Sequence, residues 1–183
     1  MVLLISGVAL WWAAHLFKRV APGPRAALGD KGKGLVAVLL VLSVFLMARG
    51  YGQADGPVWW GRSPATTGIN NLLVLVGFFL FASAGIKNRI GTQMRHPQLT
   101  GFALWAFAHL LVNGDLPSFV LFGGLLLWAL VEMAVINRAE PNWVRPPHQT
   151  VMRKEVMAAV GAVAAYLVVG LIHAWLGYNP FGA

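Results

Sequence analysis

Any chemistry in this 183-residue chain rests on histidine, because there is no cysteine and the acidic residues number only six. Without cysteine, disulfides, thiolate metal sites and thiol nucleophiles are excluded. Five histidines remain, at positions 15, 96, 109, 148 and 173, with six methionines as soft accessory donors. His15, His96, His109 and His173 border or enter apolar runs, whereas His148 follows Pro146-Pro147 in a polar loop. A single histidine at a helix end has a plain reading, a hydrogen bond at the membrane interface. Four so placed in a chain poor in polar groups favour a shared site, and neutral imidazole is a good ligand for haem iron or another transition metal. Glu132 lies within an apolar run, where pairing with a basic loop residue such as Arg138 accounts for it, and Asn70 and Asn71 open another run.

The densest set of such residues runs from Arg95-His96-Pro97-Gln98-Leu99-Thr100-Gly101 through Trp105 and His109 to Asn113-Gly114-Asp115. Pro97 suits the first position of a helix, where its missing N–H costs nothing. His96 and His109 would then lie at opposite ends of one helix, about 20 Å apart at 1.5 Å per residue. They cannot share one ion, so each needs partners on other helices.

The elements that must supply those partners are membrane helices. Hydrophobic residues make up 58% of the chain and charged residues 11%, with a mean hydropathy of +0.68. A soluble domain is about a quarter charged. Six apolar runs stand out: Val2 to Phe17, Gly34 to Ala48, Ile69 to Ile86, Leu99 to Val112, Leu116 to Ile136, and Val156 to Trp175. The expectation is an all-α integral membrane protein, about six transmembrane helices in one bundle, with residues 1–183 forming a single domain. The third, fifth and sixth runs have full spanning length. The others borrow flanking residues, with lysine and arginine snorkelling to the interface. The fourth is the shortest, and a re-entrant segment is its alternative. The first run has Lys18 and Arg19 after it rather than before, the reverse of an export signal, so it reads as a mature helix.

The basic residues alternate between loops. Lys18, Arg19, Arg25, Lys31 and Lys33 lie in the first loop. Lys87, Arg89 and Arg95 lie in the third, and Arg138, Arg145, Arg153 and Lys154 in the fifth. Those are 12 of the 14 lysines and arginines, leaving Arg49 and Arg62 for the second loop. The positive-inside rule places loops one, three and five in the cytoplasm and both termini in the periplasm. The net charge of +8 is thereby spent on orientation. No basic face is gathered as a nucleic-acid groove requires, so the lipid bilayer is the expected partner and nucleic acid is not.

Tyr51, Trp59 and Trp60 in the second loop, with Trp175 and Tyr178, read as interfacial anchors at the outer boundary. Ala158, Gly161, Ala162 and Ala165 mark a face of the last helix suited to close packing. In this topology His109 and His173 are neighbours by depth on the outer side, as are His15 and His96 on the inner side. His15 and His109 differ in depth by about 15 Å if the helices are straight.

The order His96-Pro97-Gln98, Gly101, Trp105, His109-Leu110, Asn113-Gly114-Asp115 resembles the NnrU family of bacterial membrane proteins. The likeness takes in His15, the tryptophan-bearing second loop and the closing His173-Ala174-Trp175-Leu176-Gly177-Tyr178-Asn179-Pro180. It implies a bacterial inner-membrane protein that supports denitrification, with a respiratory reductase of nitrite or nitric oxide as partner. The chain also resembles the membrane core of 15-cis-zeta-carotene isomerase, a haem b enzyme. That likeness implies haem b, with His15 and His109 as axial ligands, His96 and His173 in support, and isomerase-like redox chemistry. Depth selects a rival ligand pair, His109 with His173. Arg95-His96-Pro97 followed by Gly101 is in turn similar to the cofactor motif of isoprenylcysteine carboxyl methyltransferases, although Leu99 replaces the usual aromatic. It implies S-adenosylmethionine at the cytoplasmic face. A non-enzymatic assembly factor with structural histidines is the third alternative.

Overall fold

A computed structural model describes residues 1–147 and 149–182 of the chain; His148 lies outside the described residues. Helices α1 (Val2–Val20) and α3 (Lys31–Tyr51) flank the short α2 (Pro22–Ala27) and pack against each other as an antiparallel hairpin. A strand β1 (Val58–Trp60) leads to α4 (Pro64–Ile86), the one-turn α5 (Arg89–Gln93) and α6 (Pro97–Val112). Strand β2 (Gly114–Asp115) and α7 (Leu116–Ser118) then run through a π-helical turn, Phe119–Gly123, into α8 (Gly124–Ala139). The last helix is α9 (Met152–Trp175). Helix α4 lies between α6 and α9, and α8 bridges α6 and α1.

Among the described residues, five helices are long and apolar enough to cross a membrane: Val2–Val20, Lys31–Tyr51, Pro64–Ile86, Leu116–Ala139 and Met152–Trp175. That is the signature of an integral membrane protein. Large aliphatic side chains point outward, as with Val41 at 72% exposed and Leu171 at 66%. Ala106, Ala108, Ala129, Ala158 and Ser43 are enclosed. In lipid there is no hydrophobic gain from burying leucine against leucine, so close packing of small residues holds the helices together. On α9 the expected small-residue face is partly realised: Ala158 and Ala162 are buried, while Gly161 has open space beside it.

The fourth run forms a helix of 16 residues, about 24 Å at 1.5 Å per residue and short of ~30 Å of hydrocarbon. Both ends are set by local chemistry. Pro97 occupies its first turn, and Asn113 ends it by donating its side-chain amide to the His109 carbonyl at 2.8 Å. Beyond Asn113 the chain pairs with the second loop, Val58 opposite Asp115 and Trp60 opposite Gly114, in an antiparallel two-stranded ribbon. Asp115 then caps the next helix by accepting from the Ser118 backbone N–H at 2.8 Å.

This ribbon revises the role of the second-loop aromatics. Trp60 donates Nε1–H to the Leu110 carbonyl at 3.1 Å, and its indole covers Gly114, where any Cβ would collide with the ring. Tyr51 shares a 2.8 Å hydrogen bond with Ser118. Trp60 thus ties the second loop to the end of the fourth run, and Tyr51 ties it to the start of the fifth. Trp59, 56% exposed, meets the Phe119 ring edge-on at 5.4 Å, as Trp60 does.

Candidate functional site

His109 sits on the last turn of α6 and His173 on the last turn of α9. Each spends its Nδ1 on a backbone carbonyl four residues earlier, that of Trp105 at 2.8 Å and that of Val169 at 2.8 Å. A carbonyl only accepts, so Nδ1 carries the proton in both rings. In the neutral ring Nε2 then keeps its lone pair. The two histidines line one cavity of about 60 Å³ together with Asn70, Asn71, Tyr166 and Trp105. Its outer cover is the C-terminal segment. Asn71 donates its amide to the Pro180 carbonyl at 3.0 Å, and the Phe181 ring meets Tyr166 edge-on at 5.8 Å. Gly170 makes room for that ring, since a Cβ there would strike it.

The π turn supports His109 from outside the cavity lining. One extra residue per turn shifts the register of side chains and leaves carbonyls free. The Gly124 carbonyl accepts from Trp12 Nε1 at 3.0 Å. Phe122, within the turn, lies against His109 with ring centroids 4.7 Å apart and planes 30° from parallel.

His15 does not line this cavity. It donates Nδ1–H to the Trp11 carbonyl at 3.0 Å and lies against the rings of Trp11 and Trp128 at 4.2 and 4.5 Å. The ring contacts leading from His15 to His109 pass through Trp11, Phe102 and Trp105, at separations from 4.2 to 5.9 Å. Of the two ligand pairings, the structure gathers His109 with His173 around one cavity. His96 and Arg95 are elsewhere again, at the other end of α6. His96 donates Nε2–H to the Asn137 side-chain oxygen at 2.8 Å. The Arg95 guanidinium donates to the Glu140 carbonyl and lies over the Trp143 ring at 5.8 Å. Both side chains of that motif are thus engaged by α8 and the segment after it.

Tyr166, Phe122 and Phe181 went unmarked in the sequence, because nothing local distinguishes them from other apolar-run aromatics. A usable signal was present for the histidines: Trp11 precedes His15 and Trp105 precedes His109 by four residues, the spacing that stacks indole and imidazole on one helix face.

The sequence model of the family described as NnrU protein matches residues 3–180. The chain belongs to the NnrU family. No curated protein and no solved structure matches it. Whether this NnrU-family chain suits the haem b that its likeness implies turns on donors and space. Two imidazoles with free Nε2 are the donor set of a six-coordinate haem, and no cluster of three or more metal-binding side chains occurs among the described residues. The space does not fit the ring: about 60 Å³ admits water-sized groups, whereas cofactor pockets run to several hundred Å³. The lining carries two imidazoles, two side-chain amides and a phenol-bearing ring around this small volume.

Proposed function

We propose that this NnrU-family protein supports nitrogen-oxide reduction from the bacterial inner membrane, and that its working centre is the cavity shared by His109 and His173. In this reading α6 serves as a sixth, short span, and both termini and the cavity's C-terminal cover face the periplasm. The observation that carries it is the common arrangement of the two histidines. Each ring is locked by its own helix carbonyl, so its second nitrogen is held in one direction before any ligand arrives. His15 makes the same bond to the Trp11 carbonyl, and what sets His109 and His173 apart is that both line one cavity. The partner reductase follows from the family's association with denitrification.

Cells lacking the endogenous protein provide the test. Re-expressed wild type restores consumption of nitrite and nitric oxide, while His109→Ala and His173→Ala each lose most of that restoration at equal membrane abundance. His148→Ala retains it. Full restoration by both cavity variants would sink the reading.

Haem b is a second reading of the same centre, favoured by the free Nε2 atoms. It requires the Pro180-Phe181 cover to move aside, since the closed cavity lacks the volume.

A further inference from the structure

Helix α1 carries Trp11, His15 and Arg19 at four-residue spacing, and α8 carries Trp128 and Glu132 in the same register. Each set therefore forms one stripe, and the two stripes meet. Trp11 and Trp128 contact edge to face at 5.2 Å, and His15 lies 4.5 Å from the Trp128 ring.

Three polar atoms on this seam have no hydrogen-bond partner among the described residues: Trp11 Nε1, Trp128 Nε1 and Glu132 Oε2. Trp128 is only 3% exposed, and a buried N–H is rarely left without an acceptor. Arg19 does not satisfy Glu132 Oε2: its Nη2 donates to Glu140 Oε1 at 2.8 Å, and Glu132 Oε2 receives no hydrogen bond. His15 adds a further open valence. With Nδ1–H given to the Trp11 carbonyl, Nε2 of the neutral ring remains an acceptor.

We propose that Trp11, His15, Trp128 and Glu132 form a second polar site between α1 and α8, whose ligand is a bound water. The valences match. Two indole N–H groups offer donors to the two lone pairs of water, while Glu132 Oε2 and His15 Nε2 accept its two hydrogens. Buried waters persist where several otherwise unsatisfied groups converge in this way. The site is separate from the His109–His173 cavity and stands without it. A water held there joins the Glu132 carboxylate to the His15 imidazole by hydrogen bonds, within reach of both indole N–H groups.

The test uses the full chain in lipid nanodiscs, with ¹⁵N-labelled tryptophan and water as the probe. Magnetisation transfer from water to the indole N–H is expected at Trp11 and Trp128. It is not expected at Trp12, whose N–H is already given to the Gly124 carbonyl. Glu132→Leu should cut transfer at both tryptophans severalfold, whereas Glu132→Gln, which keeps a side-chain oxygen, should retain it. Absence of transfer at Trp11 and Trp128 in the wild type, or transfer unaffected by Glu132→Leu, overturns the site. Should Glu132→Leu also displace the Trp12 signal, Trp128→Phe replaces it. A shared water then requires the Trp11 transfer to fall, and an unaltered Trp11 overturns the proposal.

Discussion

Gly77 of α4 and Gly101 of α6 face each other with no side chain between them. A Cβ on Gly77 would stand 2.9 Å from the Gly101 carbonyl oxygen, and one on Gly101 would stand 2.7 Å from that of Gly77. This contact sets how closely α6, and so His109, approaches the helix that carries Asn70 and Asn71.

Gly101→Val is therefore expected to push α6 away from α4. Overpacking at such a site costs about 1–3 kcal/mol. Thermal unfolding in detergent should show a clear drop in midpoint. Gly161→Val is the comparison, since nothing lies near a Cβ at that position, and it should leave the midpoint nearly unchanged. Equal losses would mean that the α4–α6 approach is not what the glycine protects.

Absorption spectra of protein from haem-replete cells separate the two readings of the His109–His173 centre. If haem b binds there, the wild type shows a Soret band that His109→Ala and His173→Ala abolish or shift, because alanine offers the iron no lone pair. Under the family pairing the spectrum instead responds to His15→Ala and His109→Ala, with His173→Ala nearly silent. A wild type without a Soret band removes haem from the centre.

Topology has its own test. Reporters placed after the C-terminal residue and next to Arg89 should report opposite sides of the membrane, the first periplasmic and the second cytoplasmic. The motive is the alternation of basic residues between loops. Reporters on the same side would mean that α6 does not span.

At the end of α8, the Arg19 hydrogen bond and charge hold the exposed Glu140 carboxyl below its ordinary range. A lowered folded-state pKa means that its contribution to stability is present above the unfolded value and is lost as pH falls through the folded one. Glu140→Gln should therefore lower the unfolding midpoint slightly at neutral pH, by an amount that shrinks on acidification below the usual carboxylate range. A gap between wild type and variant that stays constant across that range would remove the Arg19–Glu140 pair as its source. High salt should narrow the neutral-pH difference as well, because the pair is solvent-exposed.

Runs of apolar residues and the family motif are properties of the chain itself, so the helical membrane architecture and the NnrU family were legible before any coordinates. Helix ends were less so. α1 continues through Lys18 and Arg19, and α3 begins at Lys31, because long basic side chains reach the interface from within a helix. The ribbon joining Trp60 to Gly114 was invisible, since strand pairing between distant loops leaves no local period. The π turn was equally hidden, being one inserted residue in an otherwise uniform apolar run. For the histidines, sequence placed His109 and His173 at similar depth, but depth is one coordinate of three. Which helices are neighbours depends on close packing of glycine and alanine faces, and only that packing set α4 between α6 and α9. It brought His109 and His173 to one cavity and left His15 against Trp128 on another seam.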